Sequence, residues 1–188
     1  MLAKDVSLHI LAKNEEDLLP KLLERMCTYV GEIIVTDTGS TDRTFERALK
    51  SGATVCHTTL DNGFGEARNV GLSFVTVPWV LQIDADEWPT DQLLSWLVNW
   101  TADLSSYSGI GGALIRRHNL VGNQPIGKNT FEWHPRLFRS GYRFIGWIHE
   151  HPDAPYKSFI KAPEDCLLLH YKTVARQQRQ NAFYETFN

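Results

Sequence analysis

From Val6 to Ile83 the chain alternates between short apolar runs and segments with helical spacing, and this alternation restricts the fold more than any other feature. Val6 to Ala12, apolar except for Ser7 and His9, reads as a first strand. Leu18, Leu19, Leu22, Leu23 and Met26 then recur at three- and four-residue intervals and predict a helix. Asn14 is its expected N-cap, Asp17 falls at the third helical position, Pro20 sits in the first turn and Gly31 stops it. Glu32 to Asp37, rich in β-branched residues, is a second strand, and Thr38 to Asp42 is a polar turn. It leads into a helix through Phe45, Ala48 and Leu49 that closes at Gly52. A third strand at Ala53 to Leu60, a loop at Asp61 to Gly65, a short helix at Glu66 to Val75 and a strand at Val77 to Ile83 complete the series. Such a series predicts an α/β fold: a Rossmann-like, mostly parallel sheet with right-handed crossovers and helices on both faces.

After Thr90 a helix is expected through Leu93, Leu94, Leu97, Val98 and Trp100. The pattern then changes. Ile110 to Val121 and Thr130 to Trp147 read as strands joined by turns rich in Gly, Asn and Pro, a β-meander in character, and Arg176 to Phe187 as a polar terminal helix. With 188 residues, 43% of them hydrophobic and 22% charged, the chain fits one globular domain whose halves, 1–100 and 101–188, differ in character. A net charge of −3 offers no basic excess for nucleic acid or an anionic membrane. No apolar run approaches the roughly 20 residues of a membrane span, and Met1 to Asp5 lead into no signal pattern. The expected location is cytoplasmic, with at most peripheral membrane contact. Cys27, Cys56 and Cys166 form no CxxC pair and read as reduced core thiols.

The chemistry concentrates where the apolar run Trp79 to Ile83 ends in Asp84, Asp86 and Glu87. Ligands of open α/β sheets bind outside the carboxyl ends of the strands, where these acids would sit. On extended backbone Asp84 and Asp86 point the same way, and two such carboxylates repel unless a cation lies between them. A hard divalent ion fits that need. A strand ending in a solvated acidic turn fits the same residues. The first βα loop, Lys13-Asn14-Glu15-Glu16, has no glycine, which excludes a dinucleotide fingerprint and a P-loop.

Four segments together resemble the family 2 nucleotide-sugar glycosyltransferases of GT-A fold: Lys13 to Glu16, Asp37 to Thr44, Glu66-Ala67-Arg68-Asn69 and Asp84-Ala85-Asp86-Glu87. Their order, with Arg136 to Arg139, Ile148-His149-Glu150 and Leu169-His170-Tyr171, looks like the branch of lipopolysaccharide-core glucosyltransferases and peptide S-glycosyltransferases. Such proteins often continue past the His-Tyr segment, whereas this chain stops at Asn188, so residues 101–188 could be a truncated acceptor half.

The resemblance implies transfer of a hexose from a nucleoside-diphosphate sugar, foremost a UDP-sugar, to an acceptor hydroxyl or thiol, metal-dependent and inverting. The acceptor stays open among lipid-linked glycan, peptide and small molecule. Lys13, Glu15 and Asp37 would face the nucleoside, and Arg68 would reach the nucleotide or brace the carboxylates. Asp84 would meet the ribose or a metal-bound water, with Ala85 beside it. Asp86 would bind Mn²⁺ or Mg²⁺, His170 would add a ligand that favours Mn²⁺, and Lys172 or one of Arg136, Arg139 and Arg143 would meet the diphosphate. Glu150 would be the general base and His149 its neighbour at the sugar. Trp133 and Trp147 would stack on sugar faces, and Trp79, Trp96 and Trp100 would fill core. Plainer roles compete: helix capping for Ser40, Thr41 and Asp42, an ion pair for Arg68, a core histidine for His170 and solvated surface for His149 to His151. Two rival functions remain, a sugar-1-phosphate nucleotidyltransferase, which would want a Gly-rich first loop containing Arg, and a non-catalytic nucleotide-sugar-binding domain.

Overall fold

A computed structural model describes residues 3–102, 109–122, 124–125 and 130–173; the expected terminal helix from Arg176 lies outside them. Strand β1 (Ala3–Ala12) is flanked in parallel by β2 (Val30–Asp37) and β4 (Trp79–Asp84), and β3 (Thr54–His57) pairs in parallel with β2. The connecting helices are α1 (Leu19–Met26), α2 (Thr44–Lys50) and α3 (Gly63–Leu72). The βα alternation expected from the sequence is therefore present. Helix α1 starts later than expected, because Asn14 adopts φ 56° and spends its side-chain oxygen on the Thr41 N–H at 2.8 Å instead of capping.

Strand β5 (Glu87–Pro89) and helix α4 (Asp91–Ala102) follow the acidic segment. Strand β6 (Gly112–Val121) pairs antiparallel with the short β7 (Gln124–Pro125) and with β8 (Phe131–Arg139), which in turn pairs antiparallel with β4. The expected second strand from Thr130 to Trp147 is broken. Its tail forms a small hairpin of β9 (Phe144–Ile145) with β10 (His151–Pro152). After a 3-10 turn at Tyr156–Ser158, β11 (Phe159–Lys161) and β12 (Leu167–Lys172) both run parallel to β6. The second half is thus not a simple meander. The long return through the hairpin gives the chain the length that a parallel pairing requires.

The sheet order is β3-β2-β1-β4-β8-β6-β12-β5. Because β5 follows β4 after a two-residue turn yet pairs with β12, the sheet must curl back toward its own centre. Val6, Leu8 and Ile10 of β1 are fully buried with Leu19, Leu22, Leu23 and Met26 of α1 and with Leu93, Leu94, Leu97 and Trp100 of α4. Trp79 and Trp100 meet edge to face at 5.3 Å, and Trp96 packs on the same cluster, so these three indoles fill core as expected. A smaller cluster of Leu72, Val80, Phe138 and Phe144 lies apart, with Val80 alternating against Trp79 and Leu81. Helix α3 approaches closely at Gly71, where a Cβ would meet His9 Nε2 and Thr36 Oγ1 at 2.1 Å each. Cys56 and Cys166 are buried as expected; Cys27, just past the end of α1, is exposed.

Candidate active site

The acidic segment is a turn, not extended strand. Strand β4 ends at Asp84, the chain turns at Ala85 and Asp86, and the Asp84 N–H donates to Glu87 Oε2 at 2.9 Å. Asp84 and Asp86 therefore engage different partners rather than facing one another. Arg68 Nη2 donates to Asp84 Oδ1 at 3.1 Å and Arg136 Nη2 to Asp84 Oδ2 at 3.2 Å. Arg136 also donates a short bond to Glu87, which is wholly buried and has Arg117 at 3.7 Å. Arg117 donates to Glu132 at 2.6 Å, and Arg68 Nε donates to Glu150 Oε1 at 2.8 Å. Charge thus alternates in sign along one connected row, from Glu150 through Arg68, Asp84, Arg136, Glu87 and Arg117 to Glu132.

The alternation shapes ionisation. Burial raises the Asp84 carboxyl, but Arg136 and then Arg68 outweigh it and hold the group well below the usual carboxylate range. Glu87 moves upward, because its burial exceeds the pull of Arg136. Burial also pushes Glu132 up, yet its hydrogen bonds from Arg117, Asn119 and His134 bring it down to about 2. His134 falls to about 4 through burial and the neighbouring Arg136 and Arg117.

Asp86 meets β12. The Tyr171 N–H donates to the Asp86 carbonyl at 3.3 Å, and His170 Nε2 lies 3.1 Å from Asp86 Oδ2. His170 Nδ1 is 2.8 Å from Asn119 Oδ1, while the Asn119 amide nitrogen donates to Glu132 at 3.1 Å. That second bond fixes which way the Asn119 amide faces, so its oxygen accepts from His170 Nδ1–H. Nε2 then presents a lone pair to a carboxylate oxygen. Two lone pairs at 3.1 Å repel unless a proton or a cation lies between them, and a hydrogen bond to the far ring nitrogen, such as Asn119 makes here, is the usual support of a metal-binding histidine. The pair thus fits one divalent ion. Among the described residues no cluster of three or more His, Cys, Asp or Glu joins it.

Glu150 is delivered by the β9–β10 hairpin, and α3 holds that hairpin. Asn69 Nδ2 donates to the Phe144 carbonyl at 3.0 Å and the Phe144 N–H donates to Asn69 Oδ1 at 2.7 Å, a two-way clamp. The Phe64 N–H donates to the Trp147 carbonyl at 3.0 Å. Gly63 and Gly65 leave room for the loop: a Cβ on Gly63 would lie 2.9 Å from Trp147 Cα, and one on Gly65 would lie 2.5 Å from the Gly146 carbonyl oxygen. Gly146 at φ 102° and His149 at φ 60° make the reversal. The Glu66 to Asn69 segment acquires a physical meaning here, with Arg68 gripping carboxylates and Asn69 gripping backbone.

The first βα loop is stitched to the second. Asn14 N–H donates to Ser40 Oγ at 2.9 Å, Glu15 N–H to Thr44 Oγ1 at 2.7 Å, and Glu16 N–H to Asp42 at 3.3 Å. Asp42 also accepts the Thr44 N–H at 2.9 Å, so this loop braces its neighbour as well as leading into α2. Asp37 is buried at the end of β2. Its Oδ1 accepts from Gly39 and Ser40 N–H at 2.9 Å each, and its Oδ2 is buried without a hydrogen-bond partner.

A cleft of about 750 Å³ gathers most of the expected residues: Lys13, Glu15, Arg68, Asp84, Ala85, Asp86, His149, Glu150, His170 and Lys172. Asp37 is not among its lining residues. Of Arg136, Arg139 and Arg143 only Arg136 lines it; Arg139 stacks over Trp79 at 4.7 Å and Arg143 is exposed near Glu66. Trp147 is half exposed and Trp133 lies under Arg116 and Lys161; neither lines the cleft. Sequence reasoning missed Arg117 and His134, which line the cleft, and Asn119, which orients His170. Their only signal is the two-residue alternation of Arg117 with Asn119 and of Glu132 with His134, polar positions on paired strands.

A curled, mostly parallel α/β sheet with an acidic turn at its carboxyl edge is the architecture of the GT-A fold. The chain belongs to glycosyl transferase family 2, whose family model matches residues 7–167. A TPR repeat-containing protein of Synechococcus elongatus is 33% identical over 147 residues, 77% of this chain and 34% of that protein. The 4,4'-diaponeurosporenoate glycosyltransferase of Staphylococcus haemolyticus is 37% identical over 91 residues, 44% of this chain and 24% of that protein. The chain therefore spans about a third or less of these relatives. Residues 1–349 of S. aureus TarS share the fold at a TM-score of 0.54 and 17% identity, over 90% of this chain and 60% of that one. Among the described residues no helix is long and apolar enough to cross a membrane.

Proposed function

We propose that this domain transfers a hexose from a nucleoside-diphosphate sugar, a UDP-sugar first among donors, to an acceptor hydroxyl or thiol with inversion. The observation that supports this most strongly is the juxtaposition, in one cleft, of the Asp86–His170 pair with the Arg68-held Glu150. Lys13 and Glu15 would bind the nucleoside, with Asp37 behind them. Asp86 and His170 would hold Mn²⁺ or Mg²⁺, with Asn119 orienting the imidazole. A divalent ion there supplies charge neutralisation for the departing diphosphate. Asp84, neutralised by two guanidinium groups, is suited to the ribose rather than to the ion. Lys172 and Arg136 border the position of the phosphates. Glu150 would take the proton from the acceptor as it attacks the sugar carbon from the face opposite the leaving group, with His149 beside it.

Release of nucleoside diphosphate from a panel of donors, with and without Mn²⁺, tests the reading. The expected result is metal-dependent release that Asp86→Ala and His170→Ala abolish and Glu150→Gln severely slows. Release of pyrophosphate instead would mean nucleotidyl transfer, and ligand stabilisation without turnover of any donor would mean a binding domain.

A further inference from the structure

The three arginines of the alternating chain do different jobs. Arg136 joins Asp84 to Glu87, two members of the same turn, and Arg117 joins Glu87 to Glu132 within the sheet. Arg68 crosses between parts of the molecule. It rises from α3, grips Asp84 of the acidic turn through Nη2 and Glu150 of the β9–β10 hairpin through Nε. These two nitrogens form one edge of the planar guanidinium, whose parallel N–H bonds usually serve a single carboxylate. Here the edge is divided between two. Without the cation between them, Asp84 and Glu150 would repel and the hairpin would lose its hold on the turn. The Arg68 side chain is only 8% exposed and Gly65, one turn earlier on α3, seats the hairpin backbone, so the bridge has little freedom to drift.

We infer that Arg68 is a positioning residue that sets the Glu150 carboxylate against the donor-binding turn, so that donor and acceptor machinery keep a fixed separation. This rests on the glycosyl-transfer reading above. It goes further by giving Arg68 a role in turnover rather than in holding the nucleotide, and by assigning donor-side bracing to Arg136.

The test uses UDP-glucose with Mn²⁺ and water as the acceptor, following UDP release, with UDP binding measured separately by calorimetry. Arg68→Lys keeps the charge but not the divided edge, and should lower kcat by about 100-fold, the cost of a reacting group misplaced by about 1 Å. KM for UDP-glucose and UDP affinity should stay near the wild-type values. Arg68→Ala should behave likewise and regain turnover when guanidinium ion is added, because that small planar cation can refill the space. Arg136→Lys should show the opposite split, with KM raised more than kcat is lowered. Wild-type kinetics in Arg68→Lys would overturn the inference alone. So would a joint loss of melting temperature, UDP binding and turnover in both Arg68 variants with no guanidinium rescue, which is the mark of a merely structural ion pair. If the wild-type protein turns over no donor, the glycosyl-transfer reading and this inference fall together.

Discussion

Gly65→Ala separates the scaffold's contribution to stability from its contribution to turnover. A Cβ at this position would lie 2.5 Å from the Gly146 carbonyl oxygen and 3.6 Å from Glu150 Cβ. The second distance is ordinary contact; the first is not. Relieving it to 3.0–3.4 Å requires a relative shift of roughly 0.5–0.9 Å (3.0 minus 2.5 and 3.4 minus 2.5). Backbone sits on both sides, so no side chain can rotate away, and the hairpin must move off α3. Overpacking of this kind costs about 1–3 kcal/mol. Alanine in a helix regains about 1 kcal/mol over glycine. The net destabilisation is then about 0–2 kcal/mol, and a domain of this size would melt no more than roughly 8 °C lower. Turnover should suffer far more. Glu150 rides on the displaced hairpin, and a shift approaching 1 Å costs on the order of 10–100-fold in rate. The assay is UDP release from UDP-glucose with Mn²⁺, beside a thermal melt and UDP calorimetry. An unchanged rate would refute the claim that α3 positions Glu150 for the proposed transfer, and loss of UDP binding in step with the rate would show that the damage is not confined to the hairpin.

Other expected outcomes concern the sheet and the Asp86–His170 pair. Burial, followed by the charge of Arg68, lowers His9 to about 3 from its ordinary 6.5, and His134 falls to about 4. Between those values and about 6.5 the unfolded chain binds protons that the folded chain refuses, so stability falls as pH falls, by up to about 1.4 kcal/mol per pH unit for each group. Urea melts from pH 7 to 4.5 should show this slope reduced in His9→Gln, and an unchanged slope would contradict the buried neutral assignment. Gly71→Ala drives a Cβ onto His9 and Thr36, whose side chains are themselves 2.9 Å apart in a buried hydrogen bond, and should cost near the top of the same net range, about 2 kcal/mol after the helix gain, roughly 4–8 °C in melting temperature. Asn119→Ala should weaken Mn²⁺ binding about 10–100-fold by releasing His170, and calorimetric affinity equal to wild type would remove Asn119 from the site.

The βα frame was legible because it follows from local rules. Apolar runs of strand length, leucines at helical spacing and Gly52 past the end of α2 depend on nearest neighbours, and β1, β2 and α2 fall close to where those signals put them. Gly31 does not stop α1, which ends at Met26; it lies in β2, where a Cβ would run into the Lys4 carbonyl oxygen. The acidic turn was legible for a different reason, since carboxylates directly after a buried strand have few other places to go. The parallel return of β11 and β12 to β6 was not legible, because strand direction is decided by the length and path of the whole connection. Nor was the break after Arg139, where Gly141 and Gly146 look like ordinary turn residues until α3 is seen to receive the hairpin.

Among site residues the divide falls in the same place. Residue type and position along the chain singled out Asp84 and Asp86 as expected carriers of chemistry, and the family resemblance added Glu150 and His170. Which of them work together is a matter of approach across long sequence separations. Only the curled sheet brings His170 to Asp86, and only the seating of the hairpin on α3 brings Glu150 to Arg68. The sequence by itself determined the kinds of group available and the edge of the sheet on which they collect, because strand polarity and hydrophobic period are properties of short segments. The tertiary structure alone decided that Asp84 is held by arginines while Asp86 faces an imidazole, because charge pairing depends on which side chains folding leaves a few ångströms apart.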